Sequence, residues 1–184
     1  GTSPQIFVGG VTTTTGFANV FNNNLITDPT SLMLQVDGNI NGLRVNGNIT
    51  SSGVISNLTL SGTSTNAGNL IAGQLLATNG GTLNLIKAGT GTWAISSNNT
   101  FGGDLTIAAG TLALGGNLAL QNSSFSYNNG NGVLSFGTLT SATFGGLSGN
   151  KNLALDNSLT NGVTMTIGTN GFNTTYSGSL TGNG

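Results

Sequence analysis

Few residues in this chain can do chemistry, and their spacing decides which chemistry. Residues 85–96, LIKAGTGTWAIS, carry a Gly-x-Gly-x-x-Ala run from Gly89 to Ala94 behind an apolar stretch. Such a run holds a dinucleotide phosphate only between a strand and a helix N-terminus, with an acidic residue about 20 positions on. The residues that follow Gly91, TWAISSNNTFGG, alternate and then turn, and Asp104 lies only 13 positions beyond Gly91. The run therefore reads as a corner between strands. Ser148 and Lys151 fit a Ser-x-x-Lys acylation pair, which needs a helical turn, yet they sit where a turn meets a strand and the companion motifs are missing.

The only acids are Asp28, Asp37, Asp104 and Asp156. Glycoside cleavage needs two carboxylates facing one bond, and calcium-binding solenoids place an Asp in every short repeat. Four acids scattered along the whole chain satisfy neither pattern. With no His, Cys or Glu there is no Ser-His-Asp arrangement, no thiolate metal site and no disulfide framework. No catalytic residue, cofactor-binding residue or metal ligand is expected. Exposed Trp93 and Phe101 could stack on sugars, but Trp93 alternates with Ile95 on an inner face, which favours core packing for both rings.

The elements that position these residues follow from composition. The chain has 184 residues, 4% of them charged, with 32 glycines, 36% hydrophobic residues and a formal net charge of -1. Disordered chains are poor in aliphatic residues and strongly charged, so this is a folded chain. Arg44, Lys87 and Lys151 are its only basic residues, too scattered to bind nucleic acid. No apolar run approaches the 18 or so residues of a membrane helix. Helical periodicity is absent, whereas alternating sets recur at Leu83/Leu85, Trp93/Ile95, Leu105/Ile107, Leu112/Leu114, Leu118/Leu120, Leu134/Phe136, Leu153/Leu155 and Val163/Met165/Ile167. Each set places its side chains on one face of a strand. Gly89, Gly91, Gly103 and Gly110 mark the turns between them.

Strands this short, joined by corners this tight, form either an antiparallel meander or the coils of a parallel solenoid. VDGNI at 36–40 returns nine residues later as VNGNI, a fixed short period that favours stacked coils. Residues 1–35 hold both prolines and lack this beat, so they are expected to form a less regular cap before coils over 36–184. Coils of roughly 20 to 25 residues would give on the order of eight turns and a rod about 35 to 40 Å long. Its interior would be lined by Leu83, Leu85, Trp93, Ile95, Phe101, Leu105, Ile107, Leu112, Leu114, Leu153 and Leu155.

Residues 85–116 resemble the autotransporter-associated β-strand repeat of bacterial surface passengers. Leu85, Lys87, Gly89, Gly91, Thr92, Asn99, Phe101, Gly103, Ala109, Gly110, Thr111 and Leu112 match it in order. The closing stretch, NTTYSGSLTGNG, is similar to material that separates two such repeats. The resemblance implies an all-β, right-handed parallel β-helix that is exported and displayed outside the cell. The function it implies is structural or adhesive and non-enzymatic: a rigid rod that self-associates and meets a carbohydrate or a cell-surface receptor. A trimeric tail-fibre shaft is the alternative, because residues 36–56 share the Gly-Asn-Ile texture of such shafts; a polysaccharide-acting β-helix enzyme is a lesser one.

Overall fold

The computed structural model describes residues 5–8, 19–27, 31–38, 42–52 and 55–184. The chain begins with β1 (Gln5–Val8), β2 (Asn19–Phe21) and β3 (Leu25–Ile26). Two coils of three strands follow: β4 (Leu32–Val36), β5 (Leu43–Val45) and β6 (Ile49–Ser52), then β7 (Ile55–Ser61), β8 (Leu70–Ile71) and β9 (Leu75–Thr78). Three coils of two strands come next: β10 (Thr82–Lys87) with β11 (Thr92–Ile95), β12 (Asp104–Ile107) with β13 (Thr111–Leu114), and β14 (Leu120–Tyr127) with β15 (Val133–Ser135). The last strands are β16 (Ser141–Gly149), β17 (Leu153–Ala154), β18 (Thr164–Ile167) and β19 (Leu180–Thr181).

Every strand ladder among the described residues is parallel. The meander is thereby excluded, and the chain is a β-solenoid. The first sheet runs β1-β4-β7-β10-β12-β14-β16-β18, the second β15-β13-β11-β8-β5-β2, and a third, β3-β6-β9, closes the early coils. A small fourth sheet pairs β17 with β19. Seven steps of about 4.8 Å along the first sheet give roughly 34 Å of axis. Much of the cap expected over residues 1–35 lies outside the described residues. Its described strands β1 to β4 pair in register with later coils, as in Gln5↔Met33 and Asn19↔Leu43.

Alternation explains the core. In β10 the pattern TLNLIK buries Leu83, Leu85 and Lys87 and leaves Thr82, Asn84 and Ile86 half-buried on the outside. In-register stacking then piles Leu58, Leu85, Leu105 and Phe125 into one column. Each buried Leu contributes roughly 1.5–3 kcal/mol of apolar transfer. One expected pair differs: Leu118 lies in a turn, where the amide of Ala119 donates to the Gly116 carbonyl at 3.2 Å, and only Leu120 enters a strand. Two glycines precede it, and a turn closed by backbone bonds outcompetes a strand two residues long.

Candidate functional site

A buried polar cluster inside the solenoid lies at the corner between the first and second sheets. Lys87 follows Leu83 and Leu85 at the same parity, so its side chain points inward, in a column with Leu60 and Ile107. It is 0% exposed. Its Nζ donates to the carbonyls of Ala88 at 2.6 Å, Gly89 at 2.9 Å and Ala109 at 3.1 Å. Burial pushes the ammonium down from 10.5 to about 8, because a charge removed from water is disfavoured. Gly110 takes φ 66°, and a Cβ there would stand 2.3 Å from the Gly91 carbonyl oxygen and 2.7 Å from the Lys87 ammonium. Trp93 is buried beside this corner, with its indole Nε1 donating to the Ser61 carbonyl at 2.9 Å.

Buried amides tie the coils at other points. Asn99 accepts from the Leu75 amide at 2.8 Å and donates to the Ala119 carbonyl at 3.0 Å, bridging the coils before and after its own. Asn69 likewise accepts from the Leu43 amide at 3.2 Å and donates to the Thr92 carbonyl at 3.0 Å. On the outside, Asn84 donates to Asn57 at 3.0 Å and accepts from the Asp104 amide at 3.0 Å. Among the described residues no buried side-chain nitrogen or oxygen lacks a partner. A half-satisfied polar interior would cost more than an apolar one, so this completeness is what lets polar residues sit inside the solenoid.

The acids are kept apart. Asp37 follows the C-terminal end of β4, Asp104 opens the N-terminal end of β12 three strands along the same sheet, and Asp156 lies beyond β17. Asp37 accepts from the Gln35 amide at 2.6 Å and from the Thr63 backbone amide at 3.0 Å. Those bonds, chiefly that from Gln35, hold its carboxyl below the ordinary range. Asp156 accepts from the Asn183 amide at 2.8 Å. Asp28 lies outside the described residues. Ser148 is in β16, not on a helical turn, and Lys151 spends its Nζ on the carbonyls of Gly130, at 3.0 Å, and Gly132.

The structure places Leu83, Leu85, Trp93, Ile95, Phe101, Leu105, Ile107, Leu112, Leu114, Leu153 and Leu155 in the interior. Gly89, with φ 68°, and Gly110 form the corner around Lys87, Gly91 leads into β11, and Gly103 precedes β12. Sequence reasoning missed Lys87, Asn69 and Asn99 as buried hubs. The parity of Leu83, Leu85 and Lys87 was the available signal for the first; the partners through which the two asparagines join neighbouring coils lie 20 to 26 residues away.

Residues 85–114, which contain this corner and Asn99, match the passenger-associated-transport-repeat. Over 104 residues, 55% of this chain, the sequence is 36% identical to a protein of Brucella suis biovar 1 (strain 1330) described as adhesin BmaC autotransporter. The aligned stretch covers 3% of that relative's length. No solved structure matches the chain. The parallel solenoid and the repeat at 85–114 make this chain similar to autotransporter passengers.

Proposed function

We propose that this chain is a non-enzymatic, adhesive segment of an exported bacterial surface protein, working as a stiff rod. The observation that carries this reading is the unbroken parallel ladder of the first sheet, with the passenger repeat at its middle. In such a solenoid each coil contacts only its neighbours, so length and rigidity come from repetition rather than from a closed core. The adhesin similarity supports the surface-binding role. A carbohydrate or cell-surface receptor is met by the long polar faces through many weak contacts.

Self-association belongs to the same reading. A net charge of -1 over 184 residues offers little repulsion between copies. The test is to pre-incubate host-cell monolayers with the purified chain and count the attachment of bacteria that carry this chain on their surface. Attachment is expected to fall with chain concentration; unchanged attachment overturns the adhesive role. Sedimentation of the same sample is expected to show elongated monomers or open-ended polymers. A closed trimer would replace this reading by a fibre shaft, and turnover of a polysaccharide would replace it by an enzyme.

A further inference from the structure

Two of the three basic residues of the chain, Lys87 and Lys151, reach the same kind of place by different routes. Lys87 is the last residue of β10 and turns its ammonium onto three carbonyls, two from its own coil and one from the next. Lys151 lies two residues past β16 and reaches back to the preceding coil, to Gly130 and Gly132. Its Nζ also stands 4.9 Å from the ring centre of Tyr127, which belongs to the column that contains Lys87 and Ile107. One ammonium arrives from below its corner and the other from above. The common feature is thus the backbone, not the position of the lysine.

The geometry points to a backbone-built recognition site for a primary ammonium group at the corner between the first and second sheets, a site the chain fills with its own lysines. A primary ammonium has three N–H donors, and at Lys87 three carbonyl oxygens converge on it between 2.6 and 3.1 Å. No acidic side chain bonds to either ammonium among the described residues. Three carbonyl dipoles therefore stand in for part of the hydration shell, while burial still holds the ammonium below its ordinary range. Glycine at 110 keeps the volume of the site free, since a Cβ there would stand 2.7 Å from Nζ. The ligand class is the primary alkylammonium. A quaternary ammonium has no donor for the carbonyls, and a guanidinium fork spreads its donors in a plane.

The experiment deletes the tethered group and offers it back in solution. Thermal unfolding of Lys87→Ala is followed with propylammonium chloride, tetramethylammonium chloride or sodium chloride at equal ionic strength. Propylammonium is expected to raise the midpoint of the variant by about 2–4 °C more than that of the parent chain, growing with the logarithm of its concentration. Equal responses of variant and parent, or equal effects of propylammonium and tetramethylammonium, overturn the site. Should Lys87→Ala fail to fold, Lys151→Ala carries the same comparison at the outer corner. A second readout uses the unaltered chain: an amine-reactive ester is expected to spare Lys87 in the folded state and to label it after denaturation. Labelling of Lys87 in the folded chain at the rate of a free amine also overturns it.

Discussion

The coils before and after residue 80 solve one problem in two ways. In β4 to β9 each coil has three strands, and Asn84 stands 27 residues beyond its stacked partner Asn57. From β10 to β14 the third strand is gone and the step shrinks to 20 residues, as between Asn84 and Asp104, before it lengthens again to 23 between Ser141 and Thr164. The early interior is aliphatic, built on Leu32, Leu34, Val36, Leu43, Val45 and Ile49. The later one adds rings to its aliphatic residues: Phe125 lies 4.9 Å from Tyr127 and 5.9 Å from Phe144 between ring centres, and Phe136 stacks on Phe144 at 6.4 Å. Where the third face is lost, Asn99 does with one side chain what a strand does with its backbone, and Phe101 fills the space. A face of the solenoid is thus replaceable by a hydrogen-bonding side chain and a ring.

The largest expected effect tests the difference in core. Phe144→Ala should lower stability by about 3–5 kcal/mol, and Leu58→Ala by about 2–5 kcal/mol. Each should raise amide exchange first in its own half, since solenoid coils depend on neighbours. Uniform exchange across both halves would show one cooperative block instead. Next comes the replacement of a strand by a side chain. Asn99→Ala leaves the buried Leu75 amide and Ala119 carbonyl without partners and should cost about 1–3 kcal/mol per group in chemical denaturation. Asn84→Ala, on the half-buried outer ladder, should cost about 1 kcal/mol or less.

Neighbouring glycines give a further contrast. A Cβ at Gly103 would stand 2.1 Å from the Leu83 carbonyl oxygen, whereas at Gly102 the nearest atom is 3.9 Å away. Gly103→Ala should therefore prise β12 from β10 and lower the unfolding midpoint, while Gly102→Ala should stay within about 0.5 kcal/mol of the parent. The smallest effect is that of pH. Lys87 releases its proton near 8 when folded and near 10.5 when unfolded, so between these values the unfolded chain holds more protons. Its contribution to stability then rises with pH across that window and is flat on either side. Lys87→Met should remove this slope; a parent and variant with parallel pH profiles would refute the assignment.

Much of this architecture is legible in the sequence. The alternation of Leu83, Leu85 and Lys87, of Trp93 and Ile95, and of Leu112 and Leu114 fixes which way each side chain faces, because strand parity is a local property. The corner glycines follow from the need for left-handed backbone at Gly89 and Gly110. The number of faces was not readable. Whether a coil has two or three sides depends on which residues meet 20 or 27 positions apart, and β3, β6 and β9 lie in short stretches whose pattern resembles that of any other strand. Leu118 misled because Gly115 and Gly116 allow a turn that alternation alone does not announce.

The change from 27-residue to 20-residue laps has one more consequence. Near-identical laps wound on one axis are prone to slip, since a strand that skips a level meets a neighbour almost like its own. A long lap laid over a short one cannot make that substitution without leaving chain looped out and side chains on the wrong face. The step beside Asn99, from 27 residues to 20, is the largest change of lap length along the first sheet and works against such slips.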